Sequence, residues 1–465
     1  MNKHTTWSYE HYVPIFGDEE AIYICRLAPA RNSFTFDFKT REGEKYSVYY
    51  RERFGAEFIL AGTTDSGSFT VSGLDENEEY EFYVSSGGRK SAVRLVRCGE
   101  SFGYILNYLH PEDKYYPRGG QFLSSPSIIK HPDGYMLAAH DLFGGAGDNM
   151  MAFIYRSDDD GETWYHTCDL FPAYCAKLFI HKGEVYVLAT TRSRGDLIIG
   201  KSTDGGMSFC LPTILWYGSG ASTVATLAGV HKMTQPVVEY GGRIWAAMEW
   251  GSWSLDYHLS SFVASAPSDG DLLDANNWSF SEPLKYDPAW EGTAKRMNML
   301  KDTYGTLENC LIEVKGKLIS VARYEIEHCE PFRGKAIVYD VDTENPEGQM
   351  KFSRVIDHPG NHAKFVIKYD ETRKKYYSLV NPLYTPANLD TRNLVTLISS
   401  DDCMEWKTEK TVYDYTEHSA KKVGIQYIDF EIIGDEIILL SRVGINGADS
   451  YHNSNNVIFD RIKMD

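Results

Sequence analysis

An eight-residue pattern, Ser-x-Asp-x-Gly-x-Thr-Trp, recurs at the ends of strand-like segments, and it narrows the available folds more than any other feature. Ser157-Asp158-Asp159-Asp160-Gly161-Glu162-Thr163-Trp164 matches at every position. Ser202-Thr203-Asp204-Gly205-Gly206-Met207-Ser208-Phe209 matches with conservative ends, and Ser399-Ser400-Asp401-Asp402-Cys403-Met404-Glu405-Trp406 keeps Ser, Asp and Trp. These are the residues of a tight hairpin turn. Asp and Ser side chains satisfy turn amides, Gly takes the positive φ, and the aromatic residue closes over the sheet. The same turn at the same point of three strand groups predicts a fold built by repetition.

The strand groups supply the repeat. The first runs through SPSIIKH, YMLAAHD and MAFIYRS to Trp164, and the second through KLFIHK, EVYVLATT and LIIGKS to Phe209. The third has PVVEY, RIWAAMEW and SFVASAP, ending at Trp278; the fourth LENCLIEV, KLISVARYE, AIVYDV and MKFSRV. The fifth has AKFVIKYD, KKYYSLVN and NLVTLISS, ending at Trp406, and the sixth YIDFEII, EIILLSRV and NVIFDRI. No long helical period interrupts them. Strand groups of this spacing predict an all-β, six-bladed β-propeller, whose ring closure protects sheet edges. A seventh blade is left open by the long linker Pro283 to Thr306, and the segment around Ile105 is placed to complete the last blade. Residues 1–98 carry short alternating strands punctuated by turns, the signature of a small β-sandwich before the propeller at 99–465.

Composition excludes several classes. The 465 residues carry a formal net charge of −18 and no clustered Lys/Arg groove, which excludes nucleic acid as the expected partner. No apolar run reaches the roughly 18 residues of a membrane span. The N-terminus lacks an apolar leader core, so a cytoplasmic chain is expected, or a secreted one whose leader is already gone. The eight cysteines show no CxxC pair and no zinc spacing and read as scattered free thiols without a disulfide; the sequence offers no ligand cluster for a metal or cofactor, and none is expected. Aromatic residues reach 14%, which suits both strands and sugar-binding clefts.

The repeated octapeptide resembles the Asp-box of bacterial neuraminidase repeat proteins, and residues 115–442 are similar to the sialidases. Gly73 to Val84 resembles the late-strand corner of fibronectin type III modules. The sialidase resemblance implies a glycosidase with three arginines on a carboxylate, a Tyr–Glu nucleophile pair and an acid for proton transfer. Arg118, in Tyr116-Pro117-Arg118-Gly119, stands for the first arginine, without the usual Arg-Ile-Pro. His140-Asp141 stands where the acid falls: Asp141 by resemblance, or His140, which titrates near neutrality. The arginine expected after it is replaced by Leu142-Phe143-Gly144-Gly145. Glu308 and Arg323 bracket a hairpin at Lys315-Gly316-Lys317, which brings both to one rim. Arg392 begins a strand that runs into the third octapeptide, and Tyr427 in Gly424-Ile425-Gln426-Tyr427 stands for the nucleophile, with Ile428 where a serine is usual.

A sialic acid bears its carboxylate on the anomeric carbon. Arginines orient that group, and a neutral phenol deprotonated by Glu308 avoids the repulsion an anionic nucleophile would meet. The implied partner is an acidic carbohydrate or glycoconjugate. His231 and Glu249 are further lining candidates, with Arg243, Arg442, His452, Asn453, Arg192 and Arg194 behind them. Two other functions remain open. One is a polysaccharide lyase or other glycosidase on a uronate, using His140, Tyr427, Arg323 and Arg392; the other is a non-catalytic sugar-binding propeller.

Overall fold

The structure, a computed structural model, describes residues 7–9, 21–113, 120–144, 149–218, 228–252, 259–291, 305–325, 334–360, 362–385 and 391–464. Its helical content is two short 3-10 turns, Ala275–Asn277 and Pro288–Glu291, and no described helix could cross a membrane. Everything else that is regular is strand.

After residue 100 the strands pair as antiparallel units of four. The first unit is Phe122–Lys130, Met136–Phe143, Ala152–Ser157 and Tyr165–Leu170; the second is Tyr174–His181, Glu184–Thr190, Leu197–Ser202 and Thr213–Trp216. In the third the inner strand is split into Gly229–His231 and Val237–Tyr240, both paired with Arg243–Gly251, followed by Leu259–Pro267 and Ser279–Phe280. The fourth is Gly305–Val314, Lys317–Glu325, Lys335–Asp340 and Lys351–Asp357, and the fifth Ile367–Asp370, Lys375–Val380, Leu394–Ser400 and Lys407–Asp414. The sixth is Gly424–Ile433, Glu436–Gly444 and Asn456–Lys463, completed by Tyr104–Tyr108 in the pairing Tyr104↔Phe459 and Tyr108↔Asn456. The chain thus closes its ring with a strand drawn from the start of the repeats. The stretch that could have held a further unit lies partly outside the described residues.

Six contacts lock the inner strands into a circle. Ile128 N–H donates to Asp429 Oδ2 (2.9 Å), Leu178 N–H to Ser127 Oγ (3.0 Å), and Lys232 Nζ to the Cys175 carbonyl (2.7 Å). Gln235 Nε2 donates to the Glu308 carbonyl (2.6 Å), Ile367 N–H to Cys310 Sγ (3.3 Å), and Asn381 Nδ2 to the Ile425 carbonyl (2.8 Å). Each links one unit to the next, so the all-β propeller is set by side-chain bridges on the axis as well as by apolar packing between units. Those apolar layers are continuous; Ala139, Ile154, Leu178 and Val187, for example, share one cluster between the first and second units.

The repeated turns behave as expected in two cases. Ser157 Oγ donates to Asp159 Oδ1 (2.9 Å) and accepts from Gly161 N–H (2.8 Å), while Thr163 N–H donates to Asp159 Oδ1 (2.9 Å). Ser202, Asp204, Gly206 and Ser208 repeat these bonds at 2.8, 2.8 and 2.9 Å. The third turn differs by one position. Ser400 and Asp402, not Ser399 and Asp401, bind it: Asp402 N–H donates to Ser400 Oγ (3.3 Å) and Met404 N–H to Asp402 Oδ1 (2.9 Å). The turn has no glycine, and Cys403 takes the left-handed φ of 61°.

Before the ring, two small sheets face each other: Ile24–Ala30, Ser33–Phe38 and Ser68–Ser72, against Ile59–Thr64, Tyr46–Glu52, Glu79–Ser86, Arg89–Lys90 and Arg94–Arg97. Phe34 and Phe36 each lie 4.7 Å, centre to centre, from Phe82 in the core between them. The Asp75 N–H donates to Tyr80 Oη (2.9 Å), fixing the corner before the Glu79–Ser86 strand. Arg26 ties these sheets to the ring by donating to the Ile105 and Leu106 carbonyls, both at 3.1 Å. The boundary at 98 misplaces the first few residues, however. Ser8–Tyr9 pairs with Tyr165–Leu170 on the outer edge of the first unit, and Trp7 packs over Gly200. An outer propeller strand has a free edge, and an extended segment satisfies it.

Candidate active site

The same local device recurs in four inner strands. Register breaks at Ser124/Ser127, Tyr174/Lys177, Leu307/Cys310 and Gln426/Asp429 mark a β-bulge in each. The residues at the bulges, Ser125, Cys175, Glu308 and Tyr427, have φ of 45°, 52°, 55° and 56°. A bulge adds one residue to a strand and re-aims its side chain, and left-handed φ in non-glycine residues costs roughly 1–2 kcal/mol. Such strain gathers at functional sites when the surroundings enforce it. Just before each bulge, the inner strand pairs with the end of the second strand: Ser124↔Asp141, Tyr174↔Thr190, Leu307↔Arg323 and Gln426↔Arg442. The repeat therefore delivers a bulged residue and a second-strand residue at one depth in four units.

Tyr427 and Glu308 meet through Arg323. Arg323 Nη1 donates to Glu308 Oε2 (2.8 Å) and to Tyr427 Oη (3.3 Å). All three are buried. Burial alone would raise the Glu308 carboxyl, but Arg323 beside it, with His231 and Arg392, holds it below the usual range. Burial pushes the Tyr427 phenol up and Glu308 adds to this, against the pull of three guanidinium groups. The resting pair is therefore an ionised carboxylate next to a neutral phenol.

Arg392 and Arg442 complete the ring around the phenol. Their guanidinium carbons lie 5.5 and 5.0 Å from the Tyr427 ring centre, within cation–π range. Both are at most 4% exposed. Arg392 donates to Gln426 Oε1 and to the His362 carbonyl (3.2 Å). Arg442 donates to Ser124 Oγ (3.1 Å) and to the His452 carbonyl. All these acceptors are neutral, so among the described residues neither arginine has an ion-pair partner. Burial pushes the Arg442 guanidinium down to about 10, and burial beside these arginines lowers His452 to about 2 and His362 to about 3. The two imidazoles are neutral and add no positive charge of their own.

Asp141 lies beside this group and His140 does not. Asp141 Oδ2 accepts from the Cys175 N–H (2.5 Å), while among the described residues Oδ1 has no partner in hydrogen-bond geometry. Burial raises its carboxyl to about 7, against the Cys175 N–H, the Ser125 hydroxyl, Arg442 and Lys232. His140 points to the other face of the strand, as its neighbour must. It stacks on Phe153 (4.9 Å) and Tyr155 (5.6 Å), and its Nε2 meets Asn107 Nδ2 (3.2 Å). Burial lowers it to about 3, so it is a neutral packing residue of the first unit.

His231 and Glu249 pair at 2.8 Å, and Glu249 Oε1 also accepts from the Asn309 N–H (3.1 Å) and its Nδ2 (2.6 Å). They brace the residue that follows Glu308. Arg243 sits at the opposite end of its strand, donating to Ser265 Oγ (3.1 Å), and is remote from the site. Arg118 lies outside the described residues. Arg442 stands only among the secondary candidates of the sequence, and neither Gln426 nor Tyr451, whose ring centre lies 5.4 Å from the Arg392 guanidinium carbon, is singled out there. The rule that paired Glu308 with Arg323, strand start against the end of the next strand, would have paired Tyr427's neighbour with Arg442.

The fold and site define a β-propeller with an arginine-ringed tyrosine on its axis. No known family matches the sequence, and no curated protein is similar to it. Among solved structures, an α-L-arabinanase of Penicillium chrysogenum complexed with arabinobiose is 14% identical, covering 77% of this chain and 96% of its own, with a TM-score of 0.48. An α-L-arabinofuranosidase of Fusarium graminearum with an iminosugar inhibitor is 13% identical over 79% of this chain and 99% of its own, TM-score 0.49. A Trypanosoma rangeli sialidase in complex with the inhibitor DANA is 15% identical over 74% of this chain, TM-score 0.46; the match spans 55% of that enzyme's length. These likenesses carry no inference about chemistry, which rests on the site itself.

Proposed function

We propose that this chain is a glycoside hydrolase of the sialidase type, acting on a terminal sugar that carries a carboxylate. The supporting observation is the pair Arg392 and Arg442, buried on the Tyr427 ring with no carboxylate in ion-pair range among the described residues. A buried cation is costly unless paired, and an incoming carboxylate relieves the cost while gaining charge-assisted hydrogen bonds. The clamp then sets the anomeric carbon over Tyr427 Oη. As the phenol oxygen bonds to that carbon, Glu308 takes its proton and the glycosidic C–O bond breaks. Asp141 gives its proton to the departing oxygen. Water then displaces the tyrosyl bond with Asp141 as base, and the phenol recovers its proton from Glu308. In this reading His231 and Glu249 keep the strand bearing Glu308 in place.

The test is incubation with 3′- and 6′-sialyllactose and with a uronate oligosaccharide, following products by mass. Free acidic sugar from the wild type, lost on Tyr427→Phe, is the expected result. An unsaturated uronate product would instead identify a lyase, although His140, the base in that reading, is stacked away from the site. Binding of an acidic sugar without turnover would identify a sugar-binding propeller.

A further inference from the structure

A buried lysine stands behind the proposed acid. Lys232 follows the short inner strand Gly229–His231, and its ammonium is almost fully enclosed. Nζ donates to the Cys175 carbonyl (2.7 Å) and to the Leu188 carbonyl (3.1 Å), with no carboxylate in salt-bridge range among the described residues. Cys175 is the bulged residue at φ 52°, and its N–H is the donor to Asp141 Oδ2. The two bonds hold Cys175 from opposite sides, one on its carbonyl and one on its N–H. Lys232 is a side-chain donor to that carbonyl, and without it the left-handed conformation that aims the N–H at Asp141 would lose this anchor.

We propose that Lys232 is a positioning residue for Asp141: it pins the Cys175 bulge that orients the carboxyl and keeps a positive charge next to it. The charge acts in a crowded setting. Asp141 feels Arg442 and Lys232 with the Cys175 and Ser125 groups, and Lys232 in turn faces Cys175, Lys177, Asp141 and Lys364. Lys177 is already committed to Asp429 (2.5 Å), and Lys364 to the Tyr427 and Ile428 carbonyls (both 3.4 Å). Lys232 is the lysine whose charge acts on Asp141, after Arg442. Burial brings Lys232 down to about 8, against the pull of Cys175 and Asp141. A nearby cation lowers a carboxyl by about 1–3 units. Lys232 thus keeps the acid from becoming too weak to give up its proton near neutrality.

The inference rests on the hydrolase reading, and the experiment separates the two. The pH dependence of kcat/KM on 3′-sialyllactose, whose alkyl leaving group needs a proton, is measured for the wild type, Lys232→Met and Lys232→Arg. The expected result is an alkaline limb moved up by about one pH unit in Lys232→Met, with kcat reduced at neutrality, and restored by Lys232→Arg. An unmoved limb with both variants folded would overturn the proposal. If the wild type releases no sugar, the hydrolase reading fails and the coupling is read from thermal unfolding at pH 8. Lys232→Met should then lower Tm more in the native background than in Asp141→Asn. Additive shifts would overturn it.

Discussion

The repeated turns and the axial site both hold carboxylates, and they satisfy them in opposite ways. In the turn at Ser157–Trp164 the bonds that shape the turn close within four residues, on an exposed rim. Asp159 is a carboxylate lowered below its ordinary range chiefly by the Thr163 hydroxyl and N–H. At the axis, Arg323 reaches Tyr427 across 104 residues and Arg442 reaches Ser124 across 318. There Asp141 is raised, and two arginines remain without counter-ions. Inner strands start at the site and third strands run parallel to them, so the turns close the far rim. The molecule keeps locally solved chemistry where it stabilises the fold, and unsolved electrostatics where a ligand can complete it.

The largest effect should come from the phenol. Tyr427→Phe keeps the ring between the guanidinium groups and should cut kcat/KM by about four orders of magnitude while leaving Tm near wild type. Unchanged turnover would erase the contrast between the two regions.

Next comes Asp141→Asn, expected to lower kcat by about a hundredfold to a thousandfold on alkyl leaving groups. Its stability signature has the opposite sign from an ordinary carboxylate. The folded carboxyl, at about 7, binds its proton more tightly than the unfolded one, near 3.8, so the wild type loses stability as pH rises through that window. Asp141→Asn should therefore raise Tm at pH 8 relative to wild type and change it little at pH 4, checked by calorimetry across pH. In the native enzyme, activity should fall as pH rises through about 7.

The arginines sharpen the comparison within the site. Arg323→Met breaks a buried pair with Glu308 and should destabilise by about 3–5 kcal/mol, seen in denaturant melts. Arg392→Met removes a buried cation without a counter-ion. It should raise KM about tenfold to a hundredfold, the worth of a lost charged hydrogen bond, with little loss of Tm. Equal destabilisation by the two variants would show that Arg392 is as fully compensated as Arg323.

The smallest effect belongs to the rim. Asp159→Ala removes the turn's acceptor and should cost about 1–2 kcal/mol with kcat/KM unchanged. A loss of activity there would mean that rim and axis are coupled.

Repetition explains why so much of the ring is legible in the chain. Strand groups, turn residues and the closing strand at Tyr104–Tyr108 depend on alternation and turn chemistry, which are local. The third turn shows the limit: one Ser-x-Asp spacing fits at 399 and at 400, and only the hydrogen bonds at Ser400 and Asp402 decide. Among the site residues, Glu308, Arg323, Arg392 and Tyr427 come together as the hairpin logic requires. His140 and Asp141 were inseparable as neighbours, and the strand's two faces separate them.

From its order of residues alone, this protein determined an all-β ring with charged groups at strand ends, because periodicity and turn preference act over a few residues. Which of those charges would be buried, paired or left without a counter-ion was decided by ring closure. Desolvation and Coulomb attraction depend on distances between units, and no spacing along the chain encodes them.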